Sequence, residues 1–84
     1  METTMVNLGN EWTKIIDTAD PQWIVQNSDL STVYVIYSDT TPTIGRDGMA
    51  LKTGEGLTSG IHGAGNVWAR PKPSKTNGMI AVTK

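Results

Sequence analysis

Few residues of this 84-residue chain are placed to do chemistry. The stretch Gly60-Ile61-His62-Gly63-Ala64-Gly65 has the glycine density of a phosphate-binding loop and holds the single histidine. Dinucleotide and P-loop sites need a helix directly after the glycines, because its N-terminus and backbone amides hold the phosphates. Here Val67-Trp68-Ala69-Arg70 follows, which is a strand pattern, and G-x-G-x-x-G is not matched. The plainer reading is a structural loop with φ > 0 positions or close backbone approach. A nucleophile–base–orienter set would need Ser or Thr against His62 and a carboxylate behind it. Nothing near His62 in sequence supplies an acid, so an exposed loop histidine is expected.

The carboxylates point the same way. Asp20, Asp29, Asp39 and Asp47 each sit where Asp commonly opens a turn. Paired-acid glycoside chemistry needs a deep cleft with a set carboxylate separation, and a chain this short does not wall one. Zero cysteines and one histidine exclude thiolate and multi-histidine metal sites. The expectation is a protein with no catalytic residues, no cofactor and no metal, and therefore not an enzyme. Arg70-Pro71-Lys72-Pro73-Ser74-Lys75 is the one basic run. Nucleic-acid binding usually shows a domain-wide basic balance, whereas the net charge is −1 and the pI about 5.6. That run is read as a contact to an acidic patch on a partner, or as a solvated loop. Trp12, Trp23 and Trp68 are read as core or subunit-interface residues, with sugar stacking as the alternative for any that is exposed.

The elements that must position these residues are strands. No stretch of ten or more residues places apolar side chains at helical spacing without Gly or Pro intervening. Short β-forming segments recur instead, between Gly, Pro, Asp, Asn and Ser, which suggests a sandwich or barrel. Strands are expected at 11–17, with Trp12, Lys14 and Ile16 on one face, and at 22–27, with Trp23 and Val25 opposite Ile24. Residues 32–37 give the strongest signal, with Val33, Val35 and Tyr37 on one face and Tyr34 and Ile36 on the other. Both faces are apolar, so a central strand covered on both sides is expected, one cover being open to an interface. Residues 38–48 read as a loop, with Asp47-Gly48 closing a turn into a strand over 49–52. A turn at Gly54-Glu55-Gly56 and a short strand from Leu57 follow. Residues 67–70 form a strand ended by Pro71 and Pro73. Asn77-Gly78 is a two-residue hairpin signal before a last strand over 79–83, with Met79, Ala81 and Thr83 opposite Ile80 and Val82.

The fold class is thus all-β: a small antiparallel β-sandwich or β-barrel of about 6–8 short strands, with an extended N-terminal arm. Residues 1–10 carry no compelling strand pattern and are read as the arm, and residues 11–84 as one β domain. No apolar run approaches the 18 or so residues of a membrane span, and no membrane contact is expected. A small core with five aromatics and no disulfide gives a thin stability margin, which favours self-association or a partner surface. Charge is split along the chain. Residues 1–47 hold seven acidic against two basic side chains, and residues 48–84 five basic against one acidic. Such a chain is able to make complementary contacts.

The order of motifs carries a resemblance. Trp23-Ile24-Val25-Gln26-Asn27, Val33-Tyr34-Val35, Thr41-Pro42-Thr43, residues 48–51, Gly54-Glu55-Gly56, Gly65-Asn66-Val67-Trp68-Ala69-Arg70 and residues 78–83 together resemble small structural proteins of tailed bacteriophage virions. The likeness covers about residues 12–84. It departs from the pattern at Thr53, where Pro would precede Gly54, and in the longer, basic insert 71–77. The resemblance implies that a V-Q-N strand pairs with a V-Y-V strand. It also implies a capsid decoration, or cement, protein on the outside of the head, made in the host cytoplasm. Its partners would be the major capsid protein and further copies of itself, as a dimer or trimer, with no nucleic acid and no membrane. The arm residues Met1, Glu2, Thr3, Thr4 and Met5, together with Arg70, Lys72 and Lys75, are the expected contacts. The alternative is a glycan- or receptor-binding module of a tail or head fibre.

Overall fold

The computed structural model describes residues 2–43, 48–62, 65–72 and 76–84. The strands are β1 (Thr3–Leu8), β2 (Thr13–Ile16), β3 (Ile24–Gln26), β4 (Val33–Tyr37), β5 (Met49–Leu51), β6 (Gly56–Thr58), β7 (Val67–Pro71) and β8 (Gly78–Thr83). Among the described residues one helical turn, α1 (Ser59–His62), is the only non-strand element. Every pairing is antiparallel. Two four-stranded sheets result, β1-β8-β3-β6 (sheet A) and β2-β7-β4-β5 (sheet B). The spacing of β-formers suggested a sandwich or barrel of about 6–8 short strands, and the structure is a small β-sandwich with eight among the described residues.

Alternation decides what is buried, because successive side chains of a strand face opposite ways. From sheet A, Leu8, Ile80, Val82, Val25 and Leu57 turn inward, and from sheet B, Ile16, Val67, Ala69, Val33, Val35 and Leu51 meet them. Trp23 is 1% exposed within this core. β2 departs from simple parity. Its register to β7 runs Thr13↔Ala69, Lys14↔Trp68, then Ile16↔Val67, so a β-bulge lies between Lys14 and Ile16. The extra residue brings both Ile15 and Ile16 inside, where plain alternation sends Ile15 away from Ile16.

Three sequence expectations are corrected here. First, residues 3–8 of the expected arm are extended but docked as strand β1, in unbroken register with β8; Glu2 and Lys84 continue that ladder by exchanging backbone hydrogen bonds of 3.0 and 3.1 Å. Second, the V-Q-N and V-Y-V strands do not pair. β3 lies in sheet A and β4 in sheet B, because Asn27 turns the chain between them. The Asn27 side chain is fully buried; its Nδ2 donates to Ser31 O (2.9 Å) and Leu51 O (2.7 Å), and its Oδ1 accepts from Asp29 N (2.9 Å). Third, Asn77-Gly78 closes no hairpin. Gly78 is the first residue of β8, opposite Leu8, and β7 and β8 belong to different sheets.

Gly65 has φ +150°, in keeping with the φ > 0 positions expected for that loop. Pro71 ends β7 opposite Val33, where its missing donor is harmless. Pro73, Lys75, Met1 and the Asp47 half of the Asp47-Gly48 turn lie outside the described residues.

Candidate interaction surface

The outward faces of the two sheets are built from different chemistry. On sheet B the outward row includes Lys14, Trp68, Ile36, Tyr34 and Ala50, placed by the ladders Lys14↔Trp68, Ile36↔Trp68 and Tyr34↔Ala50. Residues 38–43, which follow β4, lie over part of this face. Trp68 Nε1 donates to Ser38 O (2.9 Å), and Trp12 Nε1 donates to Thr43 O (2.8 Å). Pro42 of the same segment is buried. Trp12 is 6% exposed although it stands outside the inter-sheet core. Gly48 admits it: a Cβ there would come within 2.8 Å of the indole and 2.7 Å of Val35 O. The Arg70 guanidinium lies 5.8 Å from the Trp12 ring, and Lys14 Nζ 5.8 Å from the Trp68 ring, at cation–π range. So the second cover over β4 is partial and comes from this chain's own loop; Tyr34 and Ile36 stay half-buried.

On sheet A the outward positions are Thr3, Met5 and Asn7 of β1, Met79, Ala81 and Thr83 of β8, Ile24 and Gln26 of β3, and Gly56 and Thr58 of β6. None of these side chains is ionisable. The register sets them in rows. Thr3, Thr83, Ile24 and Thr58 form one, and Met5, Ala81, Gln26 and Gly56 the next. Thr3 and Thr83 share a hydroxyl hydrogen bond of 2.7 Å, and Gln26 Nε2 donates to Gly54 O (3.2 Å). No described segment covers the apolar members: Met5 is 47%, Ile24 45% and Met79 38% exposed. Beside this face, at the tip of the β3–β4 turn, Leu30 is 93% exposed.

Apart from Lys14 on β2 and Arg70 on β7, the charged groups among the described residues lie outside the strands. The Asp17 carboxylate accepts from Ala19 N (3.2 Å) and pairs with Lys14 (3.2 Å), and these hold its pKa below the usual range. Asp20 Oδ2 accepts from Asp17 N (3.0 Å) and Lys84 Nζ (3.1 Å), with the same effect. The Lys84–Asp20 pair joins the acidic half of the sequence to the basic half inside one molecule. Burial pushes the Tyr37 hydroxyl up to about 12. Among the described residues no three His, Asp or Glu side chains gather at one point.

The expected contact residues separate into two groups. Glu2, Thr3, Thr4 and Met5 lie on or beside β1, and Thr3 and Met5 face outward on sheet A. Arg70 lies on β7 of the opposite sheet, and Lys72 follows that strand. Arg70 is 9% exposed and stacked toward Trp12 rather than projecting from a basic run, and Lys72 is half-buried with its N–H on Thr32 O (3.3 Å). Ile24, Met79 and Ala81 complete the sheet A face and are absent from the sequence-derived contact set. The signal was present in the alternation that set them opposite Val25, Ile80 and Val82. No protein-family model matches this chain, and neither a curated protein nor a solved structure is significantly similar to it.

Proposed function

We propose that this chain is a structural binding module, a decoration or cement protein on the outer surface of a tailed-phage capsid. It acts as a homo-oligomer that bridges major capsid subunits and has no chemistry of its own. The observation that carries the reading is the outward face of sheet A, free of ionisable side chains and apolar at Met5, Ile24 and Met79. Depletion of charge at the centre of a patch and exposed methionine are the composition of protein–protein interfaces. The order of strand motifs that resembles virion proteins supplies the setting. Contacts of modest strength repeated over a lattice hold such a protein through avidity. Aromatic platforms for a glycan are less available, since Trp12 and Trp23 are buried and the Trp68 indole N–H is committed to Ser38.

The test is co-sedimentation with purified capsids. Saturable binding at a lattice-related copy number is expected, falling by at least about tenfold in affinity for Ile24→Lys or Met79→Lys, because a desolvated unpaired charge opposes docking. Absence of binding to expanded and unexpanded shells alike overturns the assignment and turns attention to host proteins and fibres.

A further inference from the structure

The four strand edges of the sandwich are not alike. β2 carries a bulge and the exposed Lys14, and β5 and β6 are three residues each. Bulges, lysines and short length are the devices by which proteins blunt sheet edges. β1 has none of them. It runs six residues in unbroken register, with no charge, proline or glycine in Thr3–Leu8.

Its hydrogen-bonding pattern fixes which groups are open. Glu2 and Lys84 exchange both backbone hydrogen bonds. Antiparallel ladders alternate between such pairs and pairs that exchange none. Thr4, Val6 and Leu8 therefore spend their N–H and C=O groups on β8. Thr3, Met5 and Asn7 aim theirs outward, three donors and three acceptors in a row with no described strand beyond them.

We propose that β1 pairs antiparallel with β1 of a second copy across a two-fold axis at Met5, joining two sheets A into one of eight strands. In that register Met5 opposes Met5 of the second copy, and Thr3 opposes its Asn7 in both directions. All outward donors and acceptors are matched, and no like charges meet. The alternatives shifted by two residues leave groups unmatched. Val6, half-buried against the core at the open edge, gains Thr4 of the second copy as a cover. The side chain of Met5 stays on the outward face, so the uncharged surface continues across the seam. The pairing narrows the homo-oligomer of the functional reading to a dimer, and it stands or falls without any capsid.

The experiment is sedimentation equilibrium on the full chain, with residue-resolved amide exchange. A dimer is expected, in which the Met5 and Asn7 amides exchange more slowly as protein concentration rises. Met5→Pro removes the outward N–H, together with the thioether that Ser28 Oγ reaches at 3.9 Å, and spares the backbone ladder of β1 with β8, a substitution edge strands accept. It is expected to weaken the dimer by about tenfold or more, through the two hydrogen bonds lost at the axis, with an unchanged circular dichroism spectrum. Met5→Lys keeps every backbone group and sets two like charges at the axis, so it gives a weaker dimer that salt partly restores. A monomer at all concentrations, a trimer, or a dimer that neither substitution weakens overturns the proposal. Capsid co-sedimentation reports on the other reading separately.

Discussion

Sheets A and B are cut from similar material and finished differently. Each has four antiparallel strands and one inward apolar row. On its outer side sheet B carries large aromatics, and residues 38–43, after β4, cover part of them. Two indole N–H groups are satisfied by backbone carbonyls of that segment. Sheet A carries methionine, isoleucine and threonine, and leaves them bare. The outer face of sheet B is partly covered from within the molecule; that of sheet A is uncharged and ends at the long edge strand β1. Under the proposed function, that difference divides stability from binding.

The largest test of that division compares Trp12→Ala with Met79→Ala. Removing Trp12 takes the anchor from under residues 38–43 and is expected to cost about 3–5 kcal/mol in denaturant unfolding. Met79→Ala on the bare face is expected to change stability by no more than about 0.5 kcal/mol. Comparable losses at both positions would erase the distinction between a covered and an open face. The next effect concerns the crossing from one sheet to the other. Asn27→Ala strands the carbonyls of Leu51 and Ser31 and the Asp29 N–H, and is expected to lower stability by about 2–3 kcal/mol. The smallest concerns Asp20, which ties the β2–β3 connection to Lys84 beyond β8. Its folded pKa lies below the unfolded value, so its contribution is present above about pH 4 and is lost as pH falls through the folded pKa. Asp20→Asn is expected to flatten the acid limb of the stability–pH curve, by about 1 kcal/mol or less.

Much of this fold was legible, because period-2 alternation is a local property. Val25 against Ile24, Val33 and Val35 against Tyr34, and Ile80 and Val82 against Met79 all face as their spacing implies. What the sequence hid is non-local. The bulge that brings Ile15 and Ile16 inside together is a matter of register with β7. The turn at Asn27 looks like any surface Asn-Ser-Asp turn until Leu51 O, 24 residues away, is found beneath it. Asn77-Gly78 has hairpin residues, but neighbours in sequence need not be neighbours in a sheet. Of the candidate surface, Met5 was singled out as part of an arm. Ile24 and Met79 were placed on the correct side of their strands, yet a single outward apolar residue is common on any surface. Only the pairing of β8 with both β1 and β3 gathers them into one face.

The position of β8 also governs when the molecule can exist. It is an interior strand of sheet A, between β1 and β3, and β7 is likewise interior to sheet B between β2 and β4. On a ribosome β1 and β3 emerge with nothing to hold them side by side until residues 78–83 arrive. Assembly is therefore a late, concerted event dominated by contacts distant in sequence, which places it in the slow regime of all-β folding, milliseconds to seconds. Throughout that interval the uncharged strand Thr3–Leu8 is unpaired on both sides, so the yield of soluble protein during synthesis will depend on how quickly β8 captures it.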